Sequence, residues 1–265
     1  MNDILKIINE KNNSIKKEKR ISVSSIIYNI SNEFDKELQS QRCFEKYYND
    51  PNSKYYNKTK EDILKLWEEK STIGKTNGSL LDKFIDFYTK QLYSGNFDEN
   101  NIYNFLDAEE YHQSIYNKCL NFKLFYENYI IKNNINFIGN EIWMIDDINN
   151  VIGRLDALFM YKDELLVIDW KQNETISIDN KFQHLLGPLN MYDDCDLNKY
   201  TIQVYLYKFI LSNIYKFNNI IVTRIIQLLD NGTKYKIFKP IIPYSDNLVI
   251  DIINYSKNKI LNKYV

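Results

Sequence analysis

Gly153-Arg154-Leu155-Asp156-Ala157-Leu158-Phe159 and, one turn later, Leu166-Val167-Ile168-Asp169-Trp170-Lys171 decide how this chain reads. Both are apolar runs of strand length, and Lys162-Asp163 forms the turn between them. Each run carries charge in or at the end of an apolar strand, where burial without a partner is costly. Strand side chains alternate faces, so Asp169 and Lys171 project to the same side. Asp156 arrives from the adjacent strand. Two carboxylates and a lysine converging at a sheet edge make a site for a hard divalent cation and an anionic substrate. A buried Asp169–Lys171 salt bridge on its own would not explain the second carboxylate.

Further polar features flank this pair of strands. Residues 136–146 read as a preceding strand that carries Glu141, and Asp146 to Asn150 form the turn out of it. A loop region spans 172–196, followed by a helix from about 198 to 216. On that helix Gln203 and Tyr207 stand four apart and share a face. Strands at 219–229 and 233–239 flank Asn231-Gly232, a hairpin turn pair. A last helix fits 245–262.

Upstream the chain reads helical. Residues 22–48 hold helical patterns with Ser22 and Ser24 as candidate caps. Residues 60–70 and 79–93 read as two amphipathic helices, the second with a stripe of Leu81, Phe84, Ile85, Tyr88 and Leu92. The segment from Gly95 to Asn101 breaks the pattern, and 102–133 is helical again. Residues 2–19 are polar and Lys-rich and are expected to be a solvated or frayed terminus rather than a DNA-binding arm. The expected organisation is a helical N-terminal region, 1–133, and an α/β core, 134–265.

Composition bounds the partners. Lys plus Arg number 34 against 35 Asp plus Glu, so no global basic field marks a nucleic-acid coat protein. That balance still allows an enzyme gripping a few phosphates locally. The chain is rich in Asn, Ile, Lys and Tyr, as AT-rich coding DNA produces, which makes a viral, phage or compact bacterial genome a plausible source. The three cysteines are far apart and form no C-x-x-C, so neither a zinc ribbon nor a disulfide framework is expected. A reducing, intracellular setting is the expectation, in the cytoplasm or at sites of genome replication. No apolar run approaches membrane-spanning length, and the N-terminus is too polar for a signal peptide.

Two other motifs carry little. Gly74-Lys75-Thr76 imitates the end of a phosphate loop, but position 69 is Glu where the pattern needs Gly, and no strand precedes it. His112 and His184 are the only histidines and cannot build a multi-histidine metal site. His184 reads as a polar loop residue, with substrate contact as the alternative.

Taken in order, Glu141, Gly153-x-x-Asp156, Asp169-x-Lys171 and Gln203-x-x-x-Tyr207 resemble the signature of the PD-(D/E)XK nuclease superfamily, and within it the RecB-like nucleases. The resemblance covers 136–229, including the strand and helix order. Upstream, Leu66-Trp67-Glu68-Glu69-Lys70 followed by Asn77 to Asp82 is similar to a Trp, then Gly-Thr-x-x-His, segment of these enzymes. The resemblance implies a restriction-endonuclease-like core, a mixed sheet flanked by helices, and metal-dependent hydrolysis of phosphodiester bonds. It implies Asp156 and Asp169 as ligands of Mg2+ or Mn2+, with the backbone carbonyl of Trp170 as a further ligand. Lys171 would be the catalytic lysine, Glu141 would act in or beside the metal shell, and Gln203 and Tyr207 would organise the site and contact the DNA backbone. Asp82 stands where the family has a histidine ligand, and reads equally as a surface residue of its helix. The four cysteines that bind an iron–sulfur cluster in several members are missing, so no cluster is expected.

The implied activity is a DNA nuclease, leaning to an exonuclease on single strands or ends in replication, recombination or repair, with a replication or recombination protein as a possible partner. The alternative is an inactive nuclease-fold module that binds DNA or such a partner. RNA cleavage by the same chemistry is a third reading.

Overall fold

The structure is a computed structural model that describes residues 2–15, 18–95, 97–108, 113–230 and 234–262. Along the chain it runs α1 (Asn2–Ser14), β1 (Ile21–Ser22), α2 (Val23–Ile30), α3 (Lys36–Tyr47), α4 (Lys60–Tyr93), α5 (Glu99–Ala108) and α6 (Gln113–Phe125). Then come β2 (Asn136–Asp146), β3 (Val151–Tyr161), β4 (Glu164–Lys171), α7 (Asp196–Phe209), β5 (Ile220–Leu228), β6 (Tyr235–Phe238) and α8 (Asp246–Leu261). A π-turn extends α6 over Tyr126–Ile131 and another extends α7 over Ile210–Ile214. The chain divides into two compact units, Met1–Asn32 with Tyr116–Val265, and Glu33–Ile115.

The first unit is α/β. Its mixed, open six-stranded sheet is consistent with a restriction-endonuclease-like core. β2, β3 and β4 form an antiparallel meander, β5 pairs parallel to β4, and β6 returns antiparallel on β5. The two-residue β1 lies parallel to the start of β3. The three meander strands fall where turn chemistry and apolar runs place them. β4 is buried at every interior position, as a strand covered on both faces must be. Asn231-Gly232, the expected β5–β6 turn, lies outside the described residues, as does His112.

Leu165 and Val167 join the core cluster with Ile202, Val204 and Leu206 of α7, and α2 and α8 contribute Ile26, Ile30, Val249 and Ile252 to it. On the other face, the Trp170 ring sits edge-on to Phe122 and Phe125 of α6, at 5.2 and 5.5 Å between centroids.

Residues 2–14 depart from the expected frayed terminus. They form a helix in which Ile8 is fully buried and Ile4 and Leu5 pack on the core. The helix also closes the edge of β2. Asn12 Nδ2 donates to the Trp143 carbonyl at 2.8 Å, and Lys11 Nζ donates to the Ile214 carbonyl at 2.6 Å. Tyr215 Oη receives the Ile145 N–H at 3.1 Å. An edge strand with its polar groups occupied by side chains is a poor template for further pairing.

The second unit is helical. The two helices expected at 60–70 and 79–93 are one 34-residue helix, α4, entered through a capping box of Thr59 and Asp62. Gly74 stands mid-helix in open space, where it costs about 1 kcal/mol of propensity without breaking the hydrogen-bond ladder. Leu81, Phe84, Ile85 and Tyr88 are its buried stripe, and Phe87 stacks on Phe105 of α5 at 4.3 Å. Among the described residues no helix is long and apolar enough to cross a membrane.

Candidate metal centre

The β3–β4 ladder ends at Ala157 opposite Ile168. One register step further would set Asp156 against Asp169, and there the strands part. Asp156 fills the break: its Oδ2 accepts the Trp170 N–H at 2.8 Å, in place of a ladder bond. β4 continues from Asp169 to Lys171 paired with β5 alone.

Asp169 is fully buried, and its Oδ1 meets no donor. Its close cationic neighbour is Lys171, whose Nζ lies 2.8 Å from Oδ2. Lys171 also donates to Gln203 Oε1 at 3.1 Å and sits 4.3 Å from the centroid of the Tyr200 ring. Asn173 Nδ2 donates to the Tyr200 hydroxyl at 3.0 Å, which steadies that ring. On β5, Gln227 stands in register with Lys171 and donates to the carbonyls of Asn173 and Glu174, fixing the chain as it leaves β4.

Charge in this pocket is imbalanced. Burial pushes the Asp156 carboxyl well above its ordinary range, and repulsion from Asp169 adds to that, against the opposing pull of Lys171 and the Trp170 N–H. Burial works against the Lys171 ammonium, but Asp169 and Asp156 outweigh it and its pKa is raised. Burial, and then the two aspartates, raise the Tyr207 phenol.

A buried carboxylate with one oxygen unmatched, beside a second carboxylate that repels it, is a donor set that a hard cation relieves. Asp156 and Asp169 could hold a divalent cation on that ground. No group of three or more His, Cys, Asp or Glu gathers among the described residues, so water or substrate would complete the shell. Solvent reaches the cluster by way of half-buried Asp156 and Lys171, since Asp169 itself is closed.

The remaining expected residues fall as follows. Gln203 holds Lys171. Tyr207 is buried and donates its hydroxyl to the Arg154 carbonyl at 2.8 Å. A Cβ at Gly153 would stand 2.7 Å from Tyr207 Cε1 and from Val23 Cγ2, so the Gly-x-x-Asp glycine and the Gln-x-x-x-Tyr tyrosine form one packing unit. Glu141 is engaged by Arg154, Nε to Oε2 at 2.6 Å, and its charge further raises Asp156. Its φ is +53° inside a strand, a left-handed conformation that is costly for a non-glycine residue. Asp82 is half-buried on α4 of the helical unit. His184 is an exposed loop residue bridged to Asp193, 3.4 Å from Nδ1 to Oδ1.

Sequence reasoning missed Tyr200, Arg154 and Trp143. Tyr200 was detectable, three residues before Gln203 and so on its helical face. Two surface clefts open at the Glu164 end of β4, lined by Tyr161, Glu164, Arg224 and Asn219 among others; neither includes the aspartates.

No family model matches the chain, and no curated protein does. Among solved structures it is similar to that of SSO0001, at 13% identity and a TM-score of 0.36, over 98% of this chain and 84% of that one. It is also similar to a structure named "Putative exonuclease" from Eubacterium rectale, at 11% identity and a TM-score of 0.43, over 92% of this chain and 79% of that one.

Proposed function

We propose that this protein is a Mg2+- or Mn2+-dependent deoxyribonuclease that hydrolyses phosphodiester bonds, acting on single strands or ends. The reading rests on one observation: the buried Asp169 carboxylate, ion-paired with Lys171 through Oδ2 but with Oδ1 unmatched, beside Asp156 at the point where β3 and β4 separate. Asp156 and Asp169, with the Trp170 carbonyl, are the proposed ligands. A bound ion lowers the pKa of its water and neutralises phosphate charge. Lys171, paired with Asp169 and aimed by Gln203 and Tyr200, stabilises negative charge on the phosphate in the transition state. Tyr207 and Gly153 fix the strand that presents Asp156. Glu141 adjusts the field at Asp156. A role in replication, recombination or repair inside the cell, alongside a partner from that machinery, belongs to the same proposal.

Cleavage of single-stranded and duplex DNA in manganese, with Asp169→Ala as control, tests the reading. Activity in the wild type alone supports it; uncut DNA with pure, folded wild type rejects it. The second reading, a nuclease fold that binds without cutting, is favoured by the complete burial of Asp169. Calorimetry with manganese separates the two, since that module predicts no metal binding.

A further inference from the structure

We propose that Arg154, beside Trp143 and anchored by Glu141, grips a backbone phosphate of single-stranded DNA next to the acidic pair, with Trp143 as the stacking surface for a base. The proposal rests on the nuclease reading above. Trp143 and Arg154 are direct cross-strand partners on β2 and β3, and the guanidinium carbon lies 6.0 Å from the Trp143 ring centroid. Trp143 is 54% exposed, unusual for the largest apolar side chain in a protein able to bury so many aromatics. Its backbone is not loose: Asn12 holds its carbonyl.

Glu141 engages Arg154 at Nε, 2.6 Å from Oε2, and the Arg154 side chain is 50% exposed. A half-exposed guanidinium held at Nε by a carboxylate beside an aromatic ring is pre-oriented, and guanidinium geometry suits a phosphate. Arg154 is also two residues from Asp156 on the same strand, so a phosphate on the guanidinium is neighbour to one at the acidic pair. An ordinary surface ion pair would leave both the exposed indole and the left-handed backbone of Glu141 unaccounted for. Together they supply what single-stranded nucleic acid needs: a cationic donor for the backbone and a flat ring for a base.

The test is steady-state cleavage of a fluorescent twenty-nucleotide oligothymidine in manganese over a series of salt concentrations. Arg154→Gln is expected to raise KM about tenfold while kcat falls less, because a contact made equally in ground and transition states is lost. The slope of log(1/KM) against log[salt] should shrink by roughly 0.7, the loss of one phosphate contact. Arg154→Lys should restore the slope but not the full affinity, and Trp143→Ala should raise KM with the slope intact. Thermal melting of each variant excludes unfolding as the cause. Wild-type cleavage with KM and slope unmoved in Arg154→Gln overturns the phosphate grip and leaves the nuclease reading standing. No wild-type cleavage overturns both.

Discussion

The Trp170 backbone N–H donates to Asp156 Oδ2 at 2.8 Å, just beyond the last paired position of β3 and β4, Ala157 opposite Ile168. This bond does two things. It satisfies an amide that the parted strands would strand, and it holds a carboxylate against the buried Asp169 that repels it. The site is thus strained electrostatically in a way that a divalent cation would relieve.

Apo stability should therefore rise as pH falls. A carboxyl whose folded pKa lies above its unfolded value binds more protons when folded, so its contribution is present at low pH and is lost as pH rises through the folded pKa. Melting temperature of wild type minus Asp156→Asn, in chelator, should show this slope above about pH 4, the unfolded range. An unchanging difference would contradict the raised Asp156.

Manganese should stabilise the wild type and not Asp169→Asn. A cation at a hundred times its dissociation constant adds about 2.7 kcal/mol. Differential scanning calorimetry with increasing manganese reads this directly; equal shifts in both proteins would place the ion elsewhere.

Lys171→Ala should lower the cleavage rate by about 10²–10³, the usual cost of one lost electrostatic contact to the transition state. Manganese binding should survive, because both carboxylates remain. Single-turnover rates and calorimetry on the same sample separate the two effects.

Two glycines should respond in opposite directions. Gly153→Ala forces a methyl to 2.7 Å from Tyr207 and Val23 and should cost about 1–3 kcal/mol by overpacking. Gly74→Ala adds a methyl with nothing within 4 Å inside a helix and should gain about 0.5–1 kcal/mol. Urea denaturation of both variants checks the pair.

Local chemistry explains what could be read in advance. β2, β3 and β4 were legible because apolar strands and turn residues alternate sharply there, and Asp169 with Lys171 because strand alternation is rigid. β1 was not, since two residues make a strand only by pairing with Val151 and Ile152 far away in sequence. α1 reads as polar by composition, and its few isoleucines become a core face only once β2 is beside it. The Glu141–Arg154–Trp143 cluster depends on the β2–β3 register, which a bulge near Phe137 and Gly139 shifts. The parting of β3 from β4, with Asp156 taking an amide in place of a ladder bond, has no sequence signal of its own.

The account stands or falls on whether Asp156 and Asp169 serve hydrolysis. Incubating labelled single-stranded DNA with wild type and Asp169→Ala, in manganese and in chelator, measures it. The account predicts shortened products from wild type with manganese and none in the other three tubes. Intact DNA in all four, or equal cutting by the variant, would contradict it.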